Sequence, residues 1–548
     1  MDTDDTKPNV DTNDAKPNVD TNDAKPDTDT DDARSNADES TLPGKPTSVW
    51  LDTTPTTDFG SLDREVSVDA AVVGGGIVGL TTAVELAEAG QTVAVIERDR
   101  LISGVTGRTT AKVTSQHGLV YDSIASSFGR GKARQYAAAN QAAVERVADR
   151  VEEWEIDCAF RRLPAYVYTE SDDEAETYRE EARVARGLGL PAEYVEDLPR
   201  FGAAAGVRFD RQAQFHPREY LLALVQRLEE HGAHVFEGTR ATDVDGGSPC
   251  RVETDRTGLD VVADAVVVAT HFPMLDRAGY FARTYPKRSY VLAVRASDPP
   301  TEGMYYRPGT PYFSVRTHDT GDEVLTLVGG QNHKTGQGGN TAERYRRLER
   351  IARERFDVRS VEYRWSTQDY TSVDKVPYVG EVGPLAGNVY AATGFGGWGM
   401  SNGTAAGLML SDAVLGESNP WADVFDPERL SIRASGKKLL SENVDAASRF
   451  VEDWATKPRK QDVRELRRDE ATVTRSGTDV IGAYRDEEGR TDAVSVVCPH
   501  MGCLLEWNDA ERTWDCPCHG SRFERDGSVI DGPAVSDLPT RNLDADHR

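Results

Sequence analysis

"CPHMGC" at 498–503 and "CPCHGS" at 516–521 gather four of the chain's six cysteines beside two histidines. Cys498-x-His500 is followed, after 15 intervening residues, by Cys516-x-x-His519. Two thiolates and two neutral imidazoles suit either zinc or an iron–sulfur cluster with mixed ligands. Zinc sets rarely pair one C-x-H loop with one C-x-x-H loop. On a [2Fe–2S] cluster the cysteines take one iron and the histidines the other, which raises the potential above that of an all-cysteine cluster. Cys503 and Cys518 are left over, one in each loop, while Cys158 and Cys250 stand alone and read as inert core residues.

A second chemistry sits near the start of the ordered chain. "VDAAVVGGGIVGLTTAVELAEAGQTVAVIERDR" runs from Val68 to Arg100 and reads as strand, glycine turn, helix and strand. Gly74 permits the tight turn, Gly76 lets the backbone approach a pyrophosphate, and Gly79 lets the helix pack close to the strand. The free amides at the helix start favour a diphosphate. Glu97, 18 residues past Gly79, ends the second strand where a carboxylate accepts from a ribose hydroxyl. "GQGGNT" at 336–341 lacks the third glycine of a second fingerprint, which disfavours NAD(P)H as reductant.

Farther on, "NVYAATGF" reads as a strand and "GGWGM" as a turn opening a helix, whose positive end suits a flavin pyrimidine. With the glycine triplet, Glu97, "VVVATH" at 266–271 and "TGFGGWGMSNG", residues 65–420 resemble the FAD-dependent oxidoreductases of the D-amino-acid oxidase and glycine oxidase superfamily. The resemblance implies FAD held by Gly74, Gly76, Gly79, Glu97, Arg98, Thr106, Thr109, Thr110, Val244, Gly394, Gly397, Gly399 and Met400. "GVTGRTTAKVTSQHG" at 104–118 would wrap the pyrophosphate, and "RATDV" at 240–244 would meet the adenine through its backbone. Catalytic residues stay unassigned. His117, His216, His271 and His333 read as structural, and Arg307, Arg316 and Arg364 lie in the segment where a carboxylate clamp would sit.

The C-terminal loops, with "GPA" at 532–534, resemble a Rieske [2Fe–2S] domain, with Cys498, His500, Cys516 and His519 as ligands. By the same resemblance Cys503 and Cys518 form a disulfide, worth roughly 3 kcal/mol for a loop of about 15 residues. Phe523 stands where respiratory Rieske proteins usually carry a tyrosine that donates to a ligand sulfur. Its loss implies a lower potential, with Ser521 still able to donate to a bridging sulfide.

The expected fold is an α/β FAD-binding Rossmann-like domain with an antiparallel-sheet substrate domain, plus a C-terminal all-β Rieske domain. Residues 1–48 form a disordered acidic tail built on a nine-residue repeat such as "DTNDAKPNV", with order starting near Trp50. The oxidoreductase spans 65–420: FAD-binding parts at about 65–150, 200–285 and 370–416, and substrate-side parts at about 150–200 and 285–370. A helical linker covers 421–460 and the Rieske domain 461–548. The net charge of −28 argues against nucleic acid and anionic membranes, and an acid surplus along the whole chain suggests adaptation to high salt, as in haloarchaea. Lacking a signal peptide or an apolar span, the chain is expected to be cytoplasmic.

The architecture resembles bacterial and archaeal FAD oxidoreductases with a C-terminal Rieske domain. That implies a dehydrogenase oxidising a small amine or amino acid, passing electrons singly from FAD to the cluster and from an imidazole edge to an external acceptor. The alternative is an electron-transfer flavoprotein or reductase, charged by NAD(P)H or a protein partner, with no small organic substrate.

Overall fold

The computed structural model describes residues 42–274, 279–383, 386–429, 432–456, 463–476 and 479–541. The acidic repeat over residues 1–41 and the linker residues 457–460 lie outside these. The described residues include part of the stretch 1–48 that was expected to be a tail: Lys45 bridges to Tyr363, and the Ser48 hydroxyl caps the helix Val49–Thr53.

The apolar run Val66–Val73 is buried on both faces and becomes the centre of an eight-stranded sheet. It lies parallel to Val93–Ile96 on one side and Val261–Val268 on the other. Val389–Thr393 and Tyr378–Glu381 extend the sheet beyond Val261–Val268, and His234–Phe236 extends the opposite flank. The helices Ile77–Glu88 and Gly399–Leu415 both start where strands of this sheet end.

A second, nine-stranded sheet roofs the first domain. Its order is Val358–Ser372, Thr284–Ala296, Val324–Lys334, Phe313–Asp319, Met304–Arg307, Arg161–Thr169, Ala205–Gln214 and Lys112–Val113, with Ala192–Val195 off this path. Two of these strands depart from the sequence reading. Ala205–Gln214 and Lys112–Val113 fall in stretches assigned to FAD binding, yet they pair with each other and with Arg161–Thr169 at the far edge of the roof.

The C-terminal part holds a three-stranded and a four-stranded antiparallel sheet, with the apolar cluster of Val494, Val496, Leu504, Leu505, Trp514 and Phe523 between them. The helix Ile432–Thr456 leads into it, and the Trp454 indole donates to the Gly502 carbonyl at 3.1 Å.

The wall between the two halves is formed by Thr284–Ala296 and Val358–Ser372, paired antiparallel with Lys287 opposite Asp369 and Arg288 opposite Gln368. Side chains alternate across a strand. Lys287, Ser289, Asp369 and Thr371 therefore face a pocket in the oxidoreductase half. Pro286, Arg288, Ser366, Gln368 and Tyr370 face the Rieske half. Gln368 Nε2 donates to Gly520 O at 2.8 Å and Asp531 Oδ2 at 3.0 Å, and the Tyr370 hydroxyl donates to Gly532 O at 2.6 Å. Gly520 has φ +83° and a Cβ there would lie 2.4 Å from Pro286 Cβ, so only glycine allows this contact.

Ionic contacts complete the docking. Glu511 accepts from Ser366 and from Arg288, a fully buried guanidinium, and pairs with Arg522 at 2.6 Å. Burial would raise the Glu511 carboxyl, but Arg288 and Arg522 hold it down to about 2. A carboxyl so depressed stabilises the fold above its unfolded range near 4.5 and loses that contribution as pH falls toward 2. Glu511→Gln is expected to cost about 3 kcal/mol at neutral pH, read as a lower urea midpoint. The gap from wild type should close as the pH drops from the ordinary glutamate range toward 2; a gap that does not change with pH would contradict the pairing.

Candidate functional site

The cluster loops hold their four predicted ligands together. The Cys498 and Cys516 thiols lie within hydrogen-bonding reach of each other, and the His500 and His519 rings stand edge to face at 5.0 Å. The Cys498 sulfur faces the amides of His500 and Met501, and the Cys516 sulfur those of Cys518 and His519, donors that stabilise thiolates. The Nδ1 atoms of His500 and His519 are buried without a hydrogen-bond partner. Burial lowers both imidazoles, His519 to about 4, keeping them neutral as metal ligation requires. Orphaned nitrogens facing paired sulfurs fit a [2Fe–2S] cluster held by these four residues. Cys503, Cys516 and Cys518 also cluster within 4.8 Å, but a Cys503–Cys518 disulfide takes two of these sulfurs and ties the two loops. The Ser521 hydroxyl is buried beside Cys498 and accepts from the Ala534 amide at 3.0 Å.

Both imidazole rings, expected to pass electrons to an external acceptor, are half-buried and also pack edge-on against Phe281 of the oxidoreductase half, at 5.9 and 5.5 Å.

The glycine turn fits a dinucleotide. A Cβ on Gly79 would sit 1.9 Å from Gly74 O, so the helix comes tight against the turn. Gly76 caps that helix without a side-chain oxygen, leaving first-turn amides for a diphosphate. Glu97 accepts from the Gly75 amide at 2.8 Å and the Asp99 amide at 2.9 Å; burial, opposed by these amides, raises its carboxyl. Thr106 Oγ1 accepts from the Ile77 amide at 3.2 Å. Thr109, Thr110, Gly397 and Met400 line the pocket described below, with Gly394 leading to it and Gly399 starting the helix behind it. Val244 is wholly buried opposite Val252, and its amide donates to Asp243 Oδ1 at 2.8 Å. Arg98 is drawn elsewhere: it donates to Ile530 O at 2.6 Å in the Rieske half and pairs with Asp99.

The pocket encloses about 680 Å³, counting its open mouth, between Thr109–Thr110, Gly396–Met400 and the roof. Lys112, Lys287, Tyr306, Tyr312, Ser314 and Asp369 supply its polar groups. Burial, helped by Arg316, lowers the Lys112 ammonium to about 7. Burial and Lys438 also lower Lys287. Asp369 accepts from the Gly397 amide at 2.5 Å.

None of the three arginines proposed as a clamp reaches this pocket. Arg316 is buried under Trp50 and donates to Ala111 O and Phe215 O at 2.8 and 3.1 Å. Arg307 turns to Glu170, and Arg364 to the carbonyls of Leu42, Pro43 and Gly44. His117, held by Tyr136 and Ser401, and His216, capping the helix Pro217–Glu230, are structural as read, as is His333 beside Tyr290. His271 is more than that. It lies between Asp369 on the pocket side, at 3.6 Å, and Asp531 of the Rieske half, at 3.4 Å. Burial alone would lower it, but these two carboxylates raise it to about 10.

Sequence reasoning missed Lys112, Lys287, Asp369 and the His271 bridge. Lys112 stands inside the quoted segment 104–118; a lysine next to an apolar strand pair and a phosphate-wrapping loop was the available signal.

Comparison with known proteins agrees with this geometry. Residues 69–413 match the DAO family, FAD dependent oxidoreductase, and residues 453–542 match the Rieske [2Fe-2S] domain. A Bacillus subtilis (strain 168) protein described as a Rieske 2Fe-2S iron-sulfur protein is 37% identical over 501 residues, covering 91% of this chain and 98% of that one. Gamma-glutamylputrescine oxidoreductase of Escherichia coli (strain K12) is 24% identical over 385 residues, 67% of this chain and 88% of that one. The crystal structure of glycine oxidase from Geobacillus kaustophilus superposes with a TM-score of 0.54 at 21% identity, covering 67% of this chain and 99% of that one. The chain belongs to the DAO family of FAD-dependent oxidoreductases and carries a Rieske domain at its C-terminal end.

Phe523 is fully buried in the apolar cluster that includes Cys498 and Cys516. Restoring a hydroxyl there adds a donor toward the cluster's negative charge. Phe523→Tyr is expected to raise the cluster potential by roughly 60 mV, the equivalent of a tenfold change for one electron. An EPR-monitored redox titration of the full chain measures it; an unchanged or lowered value would contradict this reading.

Proposed function

We propose that this oxidoreductase is a dehydrogenase for a small amine or amino-acid-like substrate, which binds in the pocket under the roof. Electrons then leave singly across the two-strand wall to the Rieske centre and on to an external acceptor. The observation that carries the proposal is the wall: Lys287, Asp369 and Thr371 line the pocket on one face, while Pro286, Gln368 and Tyr370 hold the cluster loops on the other. One strand thickness plus a side-chain layer on each side separates the two, on the order of 10 Å. FAD, when bound, accepts a hydride and gives up electrons one at a time, and a [2Fe–2S] cluster carries one.

The residues of this chain do the rest. Thr109, Thr110 and the Gly396–Met400 turn border the pocket on the flavin-binding side, and Tyr306, Tyr312 and Trp398 restrict water. Lys287 balances the single carboxylate Asp369, and Lys112 adds no negative charge in either protonation state, so the pocket admits a substrate carboxylate. Phe281, packed on both cluster imidazoles, makes their edge the side that receives electrons. The names of the E. coli and Geobacillus relatives, a gamma-glutamylputrescine oxidoreductase and a glycine oxidase, support an amine or amino acid as the class. A pocket with charged and hydroxyl groups favours an enzyme over a carrier charged by NAD(P)H or a partner protein, which needs no such lining. We further propose a cytoplasmic protein suited to high salt, from the charge of −28; no described helix is long and apolar enough to cross a membrane.

Anaerobic mixing of the purified holoprotein with a panel of primary amines, secondary amines and amino acids tests this. At least one should bleach the flavin absorbance, followed by the EPR signal of the reduced cluster. Bleaching by NAD(P)H and by none of the panel would support the carrier instead.

A further inference from the structure

Lys112 is an unusual lysine. Its side chain is 8% exposed, inside the pocket, on a two-residue strand that directly follows the Thr109–Thr110 loop. Nζ lies 3.0 Å from Tyr305 O and 2.5 Å from Ser314 Oγ. Among the described residues no carboxylate pairs with it, and the charged group acting on it is a second cation, Arg316, anchored on the neighbouring Ala111 carbonyl. A buried ammonium is normally compensated by an anion. Here the surroundings fit the neutral amine. The Tyr305 carbonyl and the Ser314 hydroxyl take two of its directions, and the third tetrahedral position, the lone pair of a neutral amine, has no partner among the described residues.

We propose that Lys112 is the general base of the reaction, accepting a proton from the substrate's ammonium group. This rests on the amine reading above and deepens it. One N–H bond of R₂CH–NH₃⁺ breaks, its proton joins the Nζ lone pair, and Lys112 becomes an ammonium while the substrate becomes a neutral amine. FAD, when bound, would supply the acceptor for the hydride of the adjacent C–H bond, a loss that the amine nitrogen's lone pair would assist. Only the neutral amine has that lone pair, so the proton transfer must come first.

Burial and then Arg316 lower the Lys112 ammonium to about 7, which gives a usable fraction of free amine near neutrality. The other groups facing the pocket are less suited. Tyr306 and Tyr312 are raised by burial and stay protonated. Asp369 is engaged by the Gly397 amide, His271 and the facing Lys287.

The test combines kinetics with a titration that needs no substrate. In stopped-flow reduction by the fastest amine of the panel, the wild-type rate should rise through about pH 7 and level off above it. Lys112→Met should slow reduction by about 10²–10⁴-fold and lose that limb. Lys112→Arg keeps the charge but cannot release a proton, so it should be as slow as the methionine variant. FAD content and thermal midpoint report whether each variant folds. Independently, holoprotein carrying ¹³Cε-lysine should show one NMR resonance, absent in Lys112→Arg, that titrates below about pH 8. A midpoint above that, or an arginine variant as fast as wild type, overturns the proposal. If no amine reduces the wild type, the amine reading fails instead, and the NMR midpoint still decides whether Lys112 is a free amine near neutrality.

Discussion

A β-strand sends successive side chains to opposite faces, and the rest of this structure depends on that rule operating in one two-strand wall. Residues 286–289 and 366–371 alternate between the pocket and the docking surface, so over this stretch both faces of the wall carry polar groups. Such a wall is stable only if both faces find partners, since buried polar groups without partners are costly. The Rieske loops are those partners on one face. Arg288, fully buried in the docked chain, is satisfied by Glu511 from the other half.

The same constraint explains where charge is spent. His271 sits at the end of the wall between Asp369 and Asp531, one carboxylate from each half, and as an imidazolium it neutralises both. Without it two carboxylates would face each other across a seam. Gln368 and Tyr370 then fix the carbonyls of Gly520 and Gly532, which lie in the loops that surround the cluster ligands. The contacts that hold the Rieske half thus converge on the cluster side of the domain, and its distance to the pocket is set by packing. A tethered domain that swings would need weak contacts there.

How much of this could be read from sequence follows from how local each feature is. The cluster loops and the glycine turn are short stretches whose spacing encodes their geometry, so Cys498 meets Cys516 and His500 meets His519. The pocket is assembled from strands far apart in the chain: Lys112 from one edge of the roof, Lys287 and Asp369 from the other. Spacing holds no record of that. The arginines failed as a clamp for a related reason: they lie on strands of the roof, but Arg316 runs behind the pocket to the Ala111 and Phe215 carbonyls. Likewise a lone histidine carries no sign that a distant aspartate, Asp531, will meet it.

The two halves share an electrostatic logic in a chain that is otherwise strongly acidic. Accepting electrons makes a flavin or a cluster more negative, and nearby cations favour that change. Lys112, Lys287 and Arg316 stand near or in the pocket, and His271 and Arg288 stand in the seam. The seam cations are matched by Asp369, Asp531 and Glu511, whereas Lys112 has no anion of its own. An unmatched buried cation is tolerated only if it can shed its charge or gain a counter-charge when the site is used. A substrate that first delivers a proton to Lys112 and then leaves a negative charge on the neighbouring redox group would supply that counter-charge to the ammonium it has created.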